Sequence, residues 1–267
     1  MIFDALVQAN DPIGGDNWIL RLSTNRDISN FRAGVFYHLK VDPGPFPLFR
    51  RAYSVLSATR DEAEVLYKVT GTGTRLLSRR RVGERISVMG PLGNTFTPPG
   101  EGETALLVAG GVGVPPILRW AENLMADGVP KERIIFLFGA RTRDELVLRD
   151  RLVRLGVSLH YATDDGTEGY HGHVTDLLRM HWQEFRKAGV AARFYACGPG
   201  PMLKACTDLC LKLDVQGELA LETPMPCGSG VCLGCIIATR SAAGDLPTYR
   251  RTCIDGPIFA ACEVLWP

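Results

Sequence analysis

The sequence predicts a multi-domain β and α/β protein: an antiparallel β-barrel over residues 1–100, a parallel α/β domain over 101–216, and a small cysteine-bearing segment over 217–267. Three observations carry this division. The first hundred residues hold short alternating or apolar runs broken by Gly and Pro, the pattern of a small all-β unit. Beyond Pro98-Pro99-Gly100-Glu101-Gly102 the rhythm changes to buried strands alternating with helices, the pattern of a parallel sheet. Near the C-terminus the cysteines become closely spaced. A chain of 267 residues is long enough for two compact domains or for one large domain with an appendage.

In chain order, Trp18-Ile19-Leu20-Arg21-Leu22, the run 63–69 and Arg85-Ile86-Ser87-Val88-Met89 read as barrel strands. In the second domain, residues 105–109, 134–138, 158–162 and 193–196 read as strands. Helices are expected from about Pro115, near 143–155, over 174–187 and over 201–213. From about Gly217 onward there is little material for an independent core, so a bound metal centre is expected to help hold the segment.

Composition narrows the classes of function. The chain is 46% hydrophobic and 22% charged with a net charge of +1, which gives no electrostatic case for nucleic acid or an anionic membrane. Residues 1–7 lack the basic flank and long apolar core of a signal peptide, and the apolar stretch 105–118 is short and interrupted by Gly and Pro. A reducing, cytoplasmic setting without membrane is therefore expected.

The strongest motif is Cys227, Cys232 and Cys235 followed by Cys253, spaced C-x4-C-x2-C with a distant fourth, the plant-type arrangement for a [2Fe–2S] cluster. Glycines 228, 230 and 234 lie between these cysteines, and a chain wrapping a cluster needs close backbone approach and positive φ. Structural zinc is the alternative, but zinc usually takes two short hooks rather than three ligands and a lone fourth. Cys262 lies near enough to compete with Cys253, although the turn residues Asp255-Gly256-Pro257 favour Cys253 as the loop ligand. Cys206 and Cys210, four apart on an expected helix, read as small core residues.

Two glycine turns each follow a strand and open a helix: Gly110-Gly111-Val112-Gly113 and Cys197-Gly198-Pro199-Gly200. Such a turn either presents helix N–H groups to phosphate or lets a helix pack closely on a sheet. Two of them at the carboxyl ends of parallel strands can face one ligand across a crevice. In the barrel, Arg51-Ala52-Tyr53-Ser54 combines a guanidinium, a ring and a hydroxyl, whereas Gly71-Thr72-Gly73-Thr74 reads equally as a hairpin turn.

The order of these motifs resembles the ferredoxin–NADP reductase superfamily of flavoproteins over nearly the whole chain. The C-terminal cysteine segment, the run Thr163-Asp164-Asp165-Gly166 through Asp176, and the tail Cys253-Ile254-Asp255-Gly256-Pro257-Ile258-Phe259 resemble the electron transfer subunit of class 1B dihydroorotate dehydrogenase. The resemblance implies an FAD-binding barrel, an NAD-binding α/β domain and a [2Fe–2S] segment. It implies that Arg51 holds the FAD pyrophosphate, Tyr53 packs on the flavin and Ser54 approaches its redox-active nitrogen, with Ala52 between them in the motif. Leu66, Tyr67 and Lys68 correspond to a second flavin-contacting strand, and Gly73-Thr74 to a backbone contact.

NAD would bind at Gly110, Gly111 and Gly113 and at Cys197, Gly198 and Pro199. One departure stands out: relatives often have proline after the arginine and an aliphatic residue next, whereas this chain has Ala52 and Tyr53, as in the wider superfamily. The implied partner is an FMN-bearing dihydroorotate dehydrogenase subunit in a heterotetramer of two plus two, serving pyrimidine biosynthesis. Substrate chemistry would then lie in the partner, leaving His160, His171, His173 and His181 structural or solvent-facing. Arg141 and Arg143 are open to two readings, a grip on a 2′-phosphate or surface charge. The rival functions are a reductase component for a ferredoxin or an oxygenase, and a non-enzymatic redox-sensing module.

Overall fold

The computed structural model describes residues 1–23, 29, 31–241 and 246–267. Among them six strands close an antiparallel barrel: β1 (Ile2–Gly14), β2 (Asn17–Ser23), β3 (Phe36–Leu39), β4 (Arg51–Ala58), β5 (Glu62–Lys68) and β6 (Arg85–Leu92), in the order β1-β2-β5-β4-β3-β6. Side-chain alternation sets the inside. Leu20 and Leu22 of β2, Tyr37 and Leu39 of β3, Val65 of β5 and Val88 of β6 fill the barrel, while Arg21 and Arg85 point out. The short helix α1 (Thr72–Leu77) follows β5. The Gly71–Thr74 run is therefore the start of a helix and not a hairpin turn, and Thr74 Oγ1 accepts from the Gly71 N–H at 3.1 Å.

The second sheet contains seven strands. Parallel strands β7 (Thr104–Gly110), β8 (Ile134–Ala140), β9 (Ser158–Thr163), β10 (Tyr170–His171), β11 (Ala192–Cys197) and β12 (Gly217–Ala220) are joined by an antiparallel edge strand β15 (Ile258–Ala260), in the order β10-β9-β8-β7-β11-β12-β15. Every residue of β7 is buried, as expected for a central strand covered on both faces. Helix α2 (Val114–Ala126) covers one face, and α4 (Val174–Ala188) and α5 (Gly200–Leu213) cover the other.

The helix expected over 143–155 is shorter than its periodicity suggested. A 3-10 turn spans Arg143–Glu145 and α3 begins only at Arg149, ending at Leu155. Between them Leu146 and Val147 turn into the core, and Leu148 takes φ 62° to start the helix again. Burial of two adjacent apolar side chains outweighed local helical preference.

In the C-terminal segment β13 (Ile236–Thr239), β14 (Thr248–Arg251) and β16 (Val264–Leu265) form a small sheet, and α6 (Thr252–Asp255) carries Cys253. Strands β12 and β15 of the same stretch belong to the large sheet, so the segment is woven into its neighbour rather than hung from it.

Three sets of contacts lock the barrel against the rest. Leu56, Leu66 and Phe96 join one apolar cluster with Trp120 of α2 and Phe136 and Phe138 of β8. Asn94 pairs with the backbone of Ile258, accepting its N–H at 2.8 Å and donating to its carbonyl at 3.0 Å. Glu64 of β5 binds Arg151 of α3 at 2.7 Å, and Lys68 binds Glu145 at 2.9 Å. Among the described residues no helix is long and apolar enough to cross a membrane.

Candidate functional site

The carboxyl ends of β7, β8, β9 and β11 open onto the start of β4 and the end of β5, and a cavity of about 780 Å³ lies between them. This is where a parallel sheet ordinarily receives its ligand. Of the barrel residues singled out in the sequence, Ala52, Tyr53, Ser54, Leu66, Tyr67, Lys68 and Thr74 line it. From the α/β domain Gly110, Gly111, Gly113, Cys197, Gly198 and Pro199 line it as well.

Arg51 and Gly73 stand outside the lining but touch each other: a Cβ on Gly73 would lie 3.3 Å from Arg51 Nε, so α1 comes close to the guanidinium. Arg51 itself is exposed and donates to the carbonyls of Phe49 at 2.8 Å and Arg50 at 3.1 Å.

The two glycine turns pack directly on each other. A Cβ on Gly113 would collide with the Cys197 carbonyl, and one on Gly110 would lie 2.6 Å from Met202 Sδ. Gly111, in contrast, has φ +51° and open space where a Cβ would point. Close packing is therefore what Gly110 and Gly113 serve here, and the two turns that meet form one wall of the cavity.

The walls fit a large, partly aromatic ligand. The hydroxyls of Tyr53 and Thr223 are buried without a hydrogen-bond partner, and both residues line the cavity. Unpaired buried hydroxyls at a cavity wall are what an absent polar partner leaves behind. Tyr53 packs edge-on to Tyr67 at 6.0 Å, and burial raises its hydroxyl pKa, so it acts as a neutral donor. The Cys197 thiol is pushed up to about 12 by burial and stays neutral.

At the outer end of the cavity the charges are already paired. Arg141 binds Glu145 through both Nε, at 3.1 Å, and Nη2. The hydrogen bonds from Arg141 and then Lys68 hold the Glu145 carboxyl down to about 2. Arg143 leans on Glu168 at 3.7 Å. Carboxylates, with Asp164 beside them, thus face the region where the sequence left room for a 2′-phosphate grip.

His173, read from the sequence as structural or solvent-facing, lines the cavity with its ring 3.1 Å from Asp164. Residues 220–223 and Met225 also line it, a wall the sequence reading missed. The signal was present, because these residues follow a strand that is parallel to β11, but the stretch read as part of the cysteine segment.

The cysteine loop continues that wall. Cys227 Sγ accepts from the Ser229 N–H at 3.4 Å and Cys232 Sγ from the Gly234 N–H at 3.4 Å. N–H groups of Cys232 and Ser229 hold the Cys227 thiol down to about 5, whereas burial and then the Cys235 thiol push Cys253 up to about 11. Thr252 ties α6 to the cysteine loop, its N–H and hydroxyl both donating to the Cys235 carbonyl at 3.0 and 2.9 Å.

Cys227 thus interacts with Cys232, and Cys253 interacts with Cys235 and, less strongly, with Cys227. Among the described residues no three His, Cys, Asp or Glu side chains gather as for a single ion. Four thiolates are the donor set that two bridged irons need, each iron taking two. Cys262 lies elsewhere, beside Cys210 of α5.

The family model for the iron–sulfur cluster binding domain of dihydroorotate dehydrogenase B matches residues 222–265, and that for the oxidoreductase NAD-binding domain matches residues 107–208. The chain is 32% identical to the dihydroorotate dehydrogenase B (NAD(+)) electron transfer subunit of Desulforamulus reducens, covering 99% of this chain and 98% of that protein. It is 37% identical to the subunit of the same name from Bacillus mycoides, covering 87% and 86%.

Among solved structures, the NADH-dependent reduced ferredoxin-NADP oxidoreductase superposes with a TM-score of 0.83 at 27% identity over 98% of this chain and 90% of that one. The cytochrome b5 reductase domain of Ulva prolifera nitrate reductase shares the fold, with a TM-score of 0.64 at 21% identity over 80% and 93%. At 32% identity over nearly the whole of both chains, and with the iron–sulfur domain model matched at its C-terminal segment, the chain belongs to the family of dihydroorotate dehydrogenase B (NAD(+)) electron transfer subunits.

Proposed function

We propose that this chain carries electrons between NAD and a catalytic dihydroorotate dehydrogenase subunit, with FAD in the cavity and a [2Fe–2S] cluster on the four cysteines. One observation carries the reading: residues 220–225 of the cavity wall run without a break into the Cys227–Cys235 loop. A flavin seated there and a cluster held by the loop share a single stretch of backbone. Bound FAD supplies the exchange between the two-electron hydride chemistry of nicotinamide and the one-electron chemistry of an iron–sulfur centre.

The chain's own residues bind, orient and shield. Arg51, beside Gly73 and Thr74, offers a guanidinium to the pyrophosphate at the cavity mouth. Tyr53 and Ser54 of β4, and Leu66, Tyr67 and Lys68 of β5, form the flavin wall, where the Tyr53 hydroxyl has no protein partner. Gly110, Gly111, Gly113, Cys197, Gly198 and Pro199 form the facing nicotinamide wall. Pairing of Arg141 with Glu145 supports NAD over NADP, because a 2′-phosphate would meet carboxylates and an occupied guanidinium.

No general acid or base is assigned to the chain. Dihydroorotate oxidation falls to an FMN-bearing partner, and a two-plus-two heterotetramer in the cytoplasm is the proposed assembly. The described cysteines are all free, consistent with a reducing compartment.

Anaerobically purified protein tests this directly. FAD, iron and sulfide, together with NADH-dependent reduction of an artificial acceptor, are expected. A colourless protein, or an FAD-loaded one that does not oxidise NADH, would overturn the reading. Co-purification with a ferredoxin and not with an FMN-bearing subunit would favour the ferredoxin reductase, to which the fold is also similar.

A further inference from the structure

We propose that His38 is a positioning residue that seats the cysteine loop on the flavin barrel. It lies on β3, where Tyr37 and Leu39 point into the barrel and His38 and Phe36 point outward. The ring is completely buried, and neither nitrogen makes a hydrogen bond. A buried imidazole with no partner is unfavourable beside a leucine of similar size, so its place calls for a physical reason.

That reason lies directly above the ring. Gly228, the residue after ligand Cys227, has φ +67°, and a Cβ there would stand 2.6 Å from His38 Nδ1. The loop backbone therefore comes against the imidazole at Gly228 with no room for a side chain. Met225, two residues before Cys227, lines the cavity, and its backbone, like that of Arg50 on the barrel side, lies near enough to act on the same ring without a formed hydrogen bond. His38 thus touches the loop at the point where the cavity wall becomes the cluster loop. A polar ring at that point offers a donor to the loop backbone, which an aliphatic side chain of the same volume does not. The consequence is a fixed register between the flavin wall and the first cluster ligand.

The inference rests on reading the four cysteines as cluster ligands. The test compares the parent holoprotein with His38→Leu and His38→Gln. Iron and sulfide per FAD, the EPR spectrum of the reduced cluster and the single-turnover rate of cluster reduction by NADH are measured. Dye-linked NADH oxidation is the control for the flavin site. His38→Leu is expected to keep the dye-linked rate, to alter the EPR line shape and to slow cluster reduction by about tenfold, the scale of one buried polar contact between the ring and the loop backbone. His38→Gln, which keeps a donor, is expected to restore most of the rate. A folded His38→Leu protein with the parent's EPR spectrum and transfer rate would overturn the proposal.

Should His38→Leu not fold, the contact is probed from its other side. Gly228→Ala is expected to disturb the EPR spectrum in the parent and to disturb it less in a His38→Ala background, since the added methyl then has room. The strain of a positive φ is present in both backgrounds and cancels in the comparison. Strictly additive effects would overturn the contact. A parent protein without iron and sulfide would overturn the cluster reading together with this one, and is told apart because the parent itself fails.

Discussion

Replacing Glu64 with Gln tests how the two walls of the cavity are held together. Glu64 sits on β5 with a side chain only 10% exposed, and its carboxylate meets Arg21 of β2 at 3.0 Å, Arg151 of α3 at 2.7 Å and Ser57 of β4 at 2.5 Å. Burial raises its pKa, but hydrogen bonds from Arg151, Ser57 and Arg21 outweigh this and bring it down to about 2 from an ordinary 4.5. At about 1.36 kcal/mol per pH unit, that depression corresponds to stability on the order of 3 kcal/mol.

The sign follows from the direction. A depressed carboxylate contributes fully above its unfolded pKa near 4.5 and loses that contribution as pH falls towards about 2. Glu64→Gln also turns one oxygen into a donor facing an arginine, which leaves a charge unpaired. Urea unfolding of the holoprotein, followed by tryptophan and flavin fluorescence, is therefore expected to show a deficit on the order of 3 kcal/mol at neutral pH. The deficit should shrink steadily below about pH 4.5. A deficit of equal size at neutral and acid pH, or none at neutral pH, would refute the account of Glu64 as an ionised clasp.

Further outcomes follow from the other sites. Cys232→Ser is expected to remove the iron and sulfide while leaving FAD and dye-linked NADH oxidation in place, because the ligand loop is local; flavin lost in parallel with iron would contradict this. Arg51→Ala is expected to weaken FAD retention by roughly tenfold, the scale of a charge-assisted contact, as read by flavin release on dilution. Glu145→Gln frees the Arg141 guanidinium and removes a negative charge, so the ratio of kcat/KM for NADPH to that for NADH should rise by about fivefold. An unchanged ratio would separate Glu145 from nucleotide choice.

What the sequence made legible was local and periodic. Alternation along β2 and β6, the wholly apolar run of β7 and the helical spacing of α4 and α5 each state their own burial pattern. The spacing of Cys227, Cys232 and Cys235 states its chemistry in ten residues. The helix near 143–155 was legible only in part, because the inward turn of Leu146 and Val147 depends on a core that other segments build.

The glycine turns show the same boundary between local and distant causes. Each announced a strand-to-helix turn, but whether its glycines serve packing or ligand depends on a partner turn more than eighty residues away. The cavity wall formed by residues 220–223 and Met225 was missed for a related reason: the four residues of β12 carry no periodicity, and only its pairing with β11 brings the residues at and beyond its end to the cavity. Nothing in its own run marks His38; only the tertiary structure brings Gly228 against it.

By itself, then, the sequence determined the three parts of this protein and the elements of its electron-transfer chemistry, because strand alternation and metal-ligand spacing are short-range patterns. Only the tertiary structure decided which arginines are already paired, which hydroxyls have no partner and how the cysteine loop meets the cavity wall. Those properties belong to contacts between residues far apart in the chain, and nothing in a local run of side chains encodes the distance between them.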